Sequence, residues 1–394
     1  MDEIISLVEK HERWRFQNCI NLIPSENVMS PVVRSLLCSD LGQRYTSRDQ
    51  FYMGTCFIDE IEQYGENLAK EVFNSQTADL RALSGHIADL IFLGCFARSK
   101  DTLLCVSSDD GGYPGIQKEG APSFLKLRVI NFPFSTTRMN IDVDEASNLM
   151  LKVKPKIVVF GASRILFPHP LRELAKVARE IEAHVGFDGS HILGLIAGEQ
   201  FQDPLREGAS VLFGSTHKSF FGPQGGIIVA DEEYGEVIKS KTFPAFVDNA
   251  HWNRIAALTL ALAEMKKFGK AYARQVVRNA QELAEELAER GFPVACSELG
   301  FTSSHQVFLD YGYYKYGKKC IKIARRLEKA NIIVDCGIRV GVCEATRRGM
   351  KQNEMGQIAE YMKRVAIDKE QPSRVKDDVV KFMSKFQKID YCLK

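Results

Sequence analysis

No stretch of this chain is apolar for long enough to cross a bilayer. A long apolar run such as Ile87–Ala97 is interrupted by Asp89 and falls short of the roughly 20 residues that a spanning helix needs. Nor is there an excess of one charge. Fifty-two basic residues face fifty acidic ones, a formal net charge of +2, whereas a groove that neutralises many phosphates needs a clear basic surplus. The start, Met1-Asp2-Glu3-Ile4, is acidic and lacks the basic-then-apolar order of a secretory signal. The ten cysteines form no Cys-x-x-Cys pair and the eight histidines no His-Glu-x-x-His. Nucleic-acid binding, membrane insertion, export and a structural metal are therefore not expected. Scattered thiols in a chain of this size are expected to stay reduced, in the cytoplasm.

What the chain does contain is the material of a large folded protein. Its 394 residues are 45% hydrophobic and 26% charged, and the length alone suggests roughly two to three domains. The first thirty residues read as an amphipathic helix (Ile4, Ile5, Leu7, Val8) leading into the irregular Asn21-Leu22-Ile23-Pro24-Ser25-Glu26-Asn27. From about residue 70 to 230, short apolar runs alternate with helical patterns. The strand candidates are Leu103–Val106, Val129–Phe132, Ile157–Phe160, Val185–Asp188, Val211–Gly214 and Ile227–Ala230; Asp142–Val153 and Leu171–Ala183 have helical spacing. Such alternation predicts βαβ units and an α/β fold with a mainly parallel, helix-covered sheet, and Gly225-Gly226 leaves room for one antiparallel member. His251–Arg290 reads as long helices broken near Gly269 and stopped at Gly291-Phe292-Pro293. Beyond it, Val294–Cys296, Gln306–Leu309 and Ile338–Gly341 look like strands, and Lys318–Asn331 and Glu354–Ile367 like helices. The expected organisation is an N-terminal arm (1–30), a large domain (31–247), connecting helices (248–290) and a small C-terminal α+β domain (291–394).

Four segments carry chemistry. In Ser215-Thr216-His217-Lys218 followed by Gly222-Pro223-Gln224-Gly225-Gly226, an amine stands at a strand end beside backbone that a ligand can approach closely; a solvated turn lysine is the plainer reading. Phe187-Asp188-Gly189-Ser190-His191 puts a carboxylate at the carboxyl end of a strand, facing the crevice where α/β proteins bind ligands, although Asp188 alone also suits a helix N-cap. Together the two suit pyridoxal phosphate: the lysine forms the Schiff base and the aspartate keeps the pyridine nitrogen protonated. Ala82-Leu83-Ser84-Gly85-His86, directly before an apolar helical run, offers either a simple cap or an anion site for the cofactor phosphate. Arg339, between apolar residues in Gly337-Ile338-Arg339-Val340-Gly341, needs an anionic partner. A substrate carboxylate and a structural ion pair serve equally.

These segments together resemble serine hydroxymethyltransferase, a fold-type-I pyridoxal-phosphate enzyme. The resemblance runs over most of the chain, from Asn21-Leu22-Ile23-Pro24-Ser25-Glu26-Asn27 to Arg339-Val340-Gly341 and Thr346-Arg347-Arg348-Gly349, and Thr216-His217-Lys218 with Gly222-Pro223-x-Gly225-Gly226 is its most specific motif. It implies the fold-type-I architecture and pyridoxal 5'-phosphate bound through Lys218. Asp188 is the implied partner of the pyridine nitrogen. His191 and Ser163 would lie near the ring hydroxyl, Ser84 and Gly85 with His86 at the phosphate, and Ser215 and His217 beside the lysine. Arg339 and Ser25 would hold the amino-acid carboxylate. It further implies a homodimer with shared active sites, in which Tyr45 and Tyr52 look toward the partner's cofactor.

The departures fall on one side. The family follows its first tyrosine with Ala-Glu-Gly and a longer loop; here Tyr45 is followed by Thr46-Ser47-Arg48-Asp49-Gln50, with Asp49 the one acid that could substitute. Phe51 stands where the family has a tyrosine. Asp109-Asp110-Gly111-Gly112-Tyr113 replaces a His-Gly-Gly-His segment, which puts Asp110 in place of a ring-stacking histidine and leaves Tyr113 or His86 as the aromatic candidates. A Phe-Pro-Gly-Gly run has become Phe243-Pro244-Ala245-Phe246-Val247. The loop of a dozen or so residues that helps hold the pterin is missing, because Ile333-Val334-Asp335-Cys336 runs straight into Gly337-Ile338-Arg339.

The cofactor and carboxylate side is kept and the folate side is depleted. The expected activity is therefore aldol, retro-aldol or aldehyde transfer on a small β-hydroxy-α-amino acid (serine, threonine, or glycine plus an aldehyde) without tetrahydrofolate. Phe51, Phe246 and Tyr113 are candidates for an apolar aldehyde pocket, or plain core. The alternatives are a serine hydroxymethyltransferase that uses tetrahydrofolate or another pterin, a different reaction on the same cofactor (transamination, racemisation, decarboxylation), and a catalytically silent scaffold.

Overall fold

The computed structural model describes residues 2–46, 51–310, 318–337 and 339–393. They fall into two compact units, one of Met29–Ala273 with Cys392–Lys394, the other of Met1–Val28 with Arg274–Tyr391.

The larger unit is built on a seven-stranded sheet. Its order is Thr77–Asp79, Gly226–Ala230, Val211–Ser215, His184–Asp188, Ile157–Phe160, Thr102–Cys105, Arg128–Asn131. Gly226–Ala230 runs antiparallel to both neighbours, and every other pair is parallel. The central strands read as continuous apolar runs because both faces are covered: Ile157–Phe160 and Val211–Ser215 are buried at every position. The helix Gly85–Phe96 lies on one face, where Phe92 stacks on Phe213 with ring centroids 5.0 Å apart. All six expected strands form, each shifted by no more than one residue at an end, and the helix Val143–Val153 starts on the side-chain cap of Asp142. Leu171–Glu180 ends three residues before its expected limit, and the preceding helix Cys56–Phe73 and edge strand Thr77–Asp79 form where no element was expected.

Gly269 does not break its helix. Trp252–Glu289 is one unbroken helix of 38 residues, and the glycine that close packing requires here is Gly198, on the chain beside it. A Cβ on Gly198 would lie 2.5 Å from the Gly269 carbonyl oxygen and 2.4 Å from the Ala273 Cβ, so two backbones meet at this point.

In the smaller unit, Ile20–Asn21 pairs in parallel with Ile332–Ile333, and Gln306–Phe308 pairs antiparallel with Arg339–Gly341. The first pairing is why residues 1–28 fold with the C-terminal part of the chain. The helices Lys318–Lys329 and Gln352–Ala366 follow the expectation within two residues at each end, and Pro372–Met383 is an additional one. Val294–Cys296 is not a strand. It makes one bridge, Val294 to Leu309, before Cys296 turns left-handed at φ 64° into a short 3-10 turn. Arg347 is fully buried, with Nη1 donating to the carbonyls of Asp390 (2.7 Å) and Tyr391 (2.5 Å), while Arg348 lies over the Phe16 ring. These arginines tie the chain ends together. The N-terminal helix Asp2–Glu12 forms as expected, but it buries none of its residues on this chain; Ile4 is 71% exposed.

His169 gives the larger unit an acid weakness. It is buried, its Nδ1 lies 2.9 Å from Asn140 Oδ1, and its Nε2 has no partner. Burial pushes its pKa down to about 4. The unfolded chain takes up a proton below its ordinary value of about 6.5 while the folded one does not, so stability falls as the pH drops from there toward 4, by up to about 3 kcal/mol from this group. Denaturant titrations over that window are expected to show a shallower loss for His169→Gln. An unchanged slope contradicts this.

Candidate active site

The larger unit gathers three backbone segments at the carboxyl ends of its parallel strands. Asp188 ends its strand 7% exposed, with Oδ1 accepting from Ser190 N at 2.9 Å. One strand over, Ser215 N donates to Ser190 Oγ at 3.0 Å, and the two hydroxyls are 3.3 Å apart. Against this pair lies the N-terminus of the helix Gly85–Phe96, capped by Ser84, whose Oγ accepts from Ile87 N. A Cβ on Gly85 would lie 2.2 Å from Ser215 Oγ and 3.1 Å from Ser190 Oγ. Only glycine allows that approach. The first N–H groups of the helix have no carbonyl partner within it, and they point out of the end that carries the positive dipole.

Lys218 follows Ser215 in a loop that the glycines shape. Thr216 Oγ1 donates to the Pro223 carbonyl (2.7 Å) and Gly222 N to the Thr216 carbonyl (2.8 Å), closing the loop on itself. Gly226 N donates to the Ala82 carbonyl, and a Cβ on Gly226 would lie 2.4 Å from the Ser84 carbonyl oxygen. Buried Arg254 braces the same place, with Nη2 donating to the Leu80 carbonyl at 2.7 Å and Nη1 set 2.6 Å from where a Gly225 Cβ would be. On the other side, Ser219 Oγ accepts from Gly194 N, just beyond buried His191.

Half-buried His217 has its pKa pushed down to about 4 by burial and by the adjacent Lys218 charge, and its Nδ1 has no hydrogen-bond partner. Ser163 follows the strand Ile157–Phe160, next to the strand that ends in Asp188. Tyr113 Oη is 3.4 Å from His86 Nδ1, with the rings edge to face at 5.9 Å. Burial, then the charges of Asp89 and Asp188, raise the Tyr113 pKa. The two aromatic candidates thus sit together near Asp188. Asp110, in contrast, is raised by burial and by neighbouring Asp109, with Arg164 the opposing charge.

Two further candidates belong to the other unit. In the smaller unit, Ser25 follows Pro24, whose Cα would be 2.6 Å from a Cβ on Gly341, and Gly341 N donates to the Leu22 carbonyl (2.8 Å). Ser25 and Arg339 therefore belong to adjacent backbone. Arg339 has a carboxylate beside it: Asp335 accepts from Arg339 N at 2.9 Å and from Nε at 3.1 Å. Tyr45 and Tyr52 form a surface pair at 5.7 Å, with exposed Phe51 against Tyr52. Asp49 and Ile338 lie outside the described residues. Two polar residues had no role in the sequence reading. Ser190 was legible only as the alternate position after Asp188, and Asp89 as the single charge in an apolar helical run.

A buried carboxylate one strand from a close-packed helix N-terminus, with a lysine loop after that next strand, fits pyridoxal phosphate in each of its parts. The helix N-terminus at Gly85 offers N–H donors without carbonyl partners in the helix, Asp188 is a buried carboxyl group, and Lys218 offers an amine. Fold and site define a fold-type-I pyridoxal-phosphate enzyme. A solved L-threonine transaldolase from Pseudomonas fluorescens superposes with a TM-score of 0.92 at 26% identity, covering 99% of this chain and 93% of that one. The family model for serine hydroxymethyltransferase matches residues 1–362. Serine hydroxymethyltransferases from Methanocella arvoryzae and Methanocaldococcus jannaschii are each 43% identical, over 96% and 98% of this chain and 93% and 94% of theirs. The chain belongs to the serine hydroxymethyltransferase family. It is a transferase or aldolase whose cofactor is pyridoxal phosphate, and its chemistry is hydroxymethyl or aldol transfer on amino acids. Among the described residues, no helix is long and apolar enough to cross a membrane.

Because Gly226 lies against backbone rather than a mobile side chain, Gly226→Ala must push Ser84 and Gly85 away from Ser190 and Ser215. Overpacking of this kind costs about 1–3 kcal/mol, so cofactor affinity measured by equilibrium dialysis is expected to fall on the order of tenfold or more. Unchanged affinity would show that this helix N-terminus is not the phosphate site.

Proposed function

We propose that this protein exchanges the aldehyde portion of a small β-hydroxy-α-amino acid without a folate or pterin. The observation that carries the reading is the connection between the strands Ile332–Ile333 and Arg339–Gly341, only residues 334–338, which Asp335 closes onto Arg339. The pterin-holding loop of the family would have to leave from this connection. Likeness to an L-threonine transaldolase supports the same direction.

In this reading pyridoxal phosphate supplies the electron sink for the pair left at the substrate's Cα. Lys218 offers its amine to the cofactor, with Ser215 and His217 beside it. Asp188 holds the proton of the ring nitrogen, and Ser163 and His191 stand at the ring hydroxyl. Ser84, Gly85 and His86 hold the phosphate at the helix N-terminus. Arg339 and Ser25 grip the substrate carboxylate, which orients the bond to be broken; Asp335 keeps the guanidinium in place. His217 stays neutral at physiological pH, because its burial beside a cation disfavours a second charge.

A second reading, hydroxymethyl transfer that requires a pterin, is favoured by the 43% identity to relatives named serine hydroxymethyltransferase. One experiment separates the two. Incubated with threonine and a second aldehyde, with no pterin present, the protein is expected to form the new β-hydroxy-α-amino acid. Lys218→Ala should lose both this product and the cofactor adduct trapped by borohydride. Turnover of serine to glycine only when tetrahydrofolate or another pterin is added would overturn the first reading in favour of the second.

A homodimer with shared sites belongs to the same proposal, as does residence in the cytoplasm, where the ten free thiols would stay reduced. Ile4, Ile5, Leu7, Phe51, Met53 and Phe57 leave large apolar groups exposed on one chain. Tyr45 and Tyr52 lie on the same exposed segment as Phe51, suited to reach a partner's cofactor. Sedimentation is expected to give a dimer, and an active monomer would refute it.

A further inference from the structure

The helix Gly85–Phe96 is apolar on nearly every side, yet a carboxyl group sits inside it. Asp89 is 1% exposed, and neither of its carboxyl oxygens has a hydrogen-bond partner. Helical geometry fixes where it looks, since Gly85, Asp89 and Phe92 share one face. At one end of that face Gly85 lies against Ser215 and Ser190, and at the other Phe92 lies against Gly186 and stacks on Phe213. Asp89 therefore faces the strands His184–Asp188 and Val211–Ser215 between those contacts. Its electrostatic surroundings agree. Burial, and after it the Asp188 carboxylate, hold the Asp89 carboxyl well above the usual range, with Lys218 the opposing charge. Cys105, from the strand Thr102–Cys105, and Tyr113 also feel its charge. A buried carboxyl with no partner is costly, and an apolar residue would fill the same volume at no such cost.

We propose that Asp89 is a positioning residue for the cofactor ring, a neutral acid behind Asp188 whose charge state sets how firmly Asp188 holds the proton on the ring nitrogen. Burial and the neighbouring Asp188 both favour the neutral form of Asp89. When Asp89 ionises, a second negative charge tightens the ring-nitrogen proton. The inference rests on the cofactor reading given above.

The test loads the wild-type protein and Asp89→Asn with pyridoxal phosphate carrying nitrogen-15 in the ring, and follows that resonance against pH. The melting temperatures of both cofactor-free proteins are followed over the same range. The wild type is expected to show a shift of the ring resonance with rising pH that the Asn variant loses. Its melting temperature should also fall more steeply as pH rises above the ordinary carboxylate range, because the folded state keeps a proton that the unfolded chain gives up. Coincident resonance curves overturn the proposal. So does a difference confined to melting, which marks a buried structural acid and nothing more. If borohydride traps no cofactor on the wild type, the cofactor reading falls and this inference with it; if the adduct forms and the resonance curves coincide, only the role of Asp89 is lost. Should the Asn variant not fold, Asp89→Leu, branched like the carboxyl group but larger and without charge, takes its place with the same expected outcomes.

Discussion

Three stretches of chain, around residues 84, 190 and 215, approach so closely that the molecule cannot place a side chain between them. Gly85 against Ser215 and Gly226 against the Ser84 carbonyl are the two points of contact. Everything else in the larger unit follows from keeping that approach. Arg254 braces Leu80, the Thr216–Pro223 hydrogen bond closes the lysine loop, and Ser219 joins that loop to the backbone beyond His191. Serines fill the contact because they are small and can share hydrogen bonds, as Ser190 does with both the N–H and the hydroxyl of Ser215.

Charge is arranged around this contact with economy. Asp188 is buried but receives a backbone donor, Asp89 is buried without one, and His217 is kept neutral by its surroundings. A site of low polarity separates the protonation states of like groups that would titrate together in water.

The sequence was most legible where local pattern and tertiary environment agree. The parallel strands showed as continuous apolar runs because they are covered on both faces, and the helix starting at Val143 showed through its Asp142 cap. It misled where a local signal did not mark a boundary. Gly269 has the signature of a helix break, yet the helix passes through it, and the glycine that close packing requires there is Gly198. Val294–Cys296 has the residues of a strand but meets a partner at a single bridge, because Cys296 turns away.

From the residues alone came the α/β class and the lysine and aspartate that follow successive strands, properties of neighbours in the chain or of motif spacing. Tertiary structure decided what depends on distant segments meeting. It joined Ile20–Asn21 to Ile332–Ile333, brought Ser190 to Ser215, and left the apolar side of the first helix uncovered on this chain. Periodicity records which side of an element is apolar. It carries no information about which other element, or which chain, will cover that side, and that choice belongs to the packing of the whole.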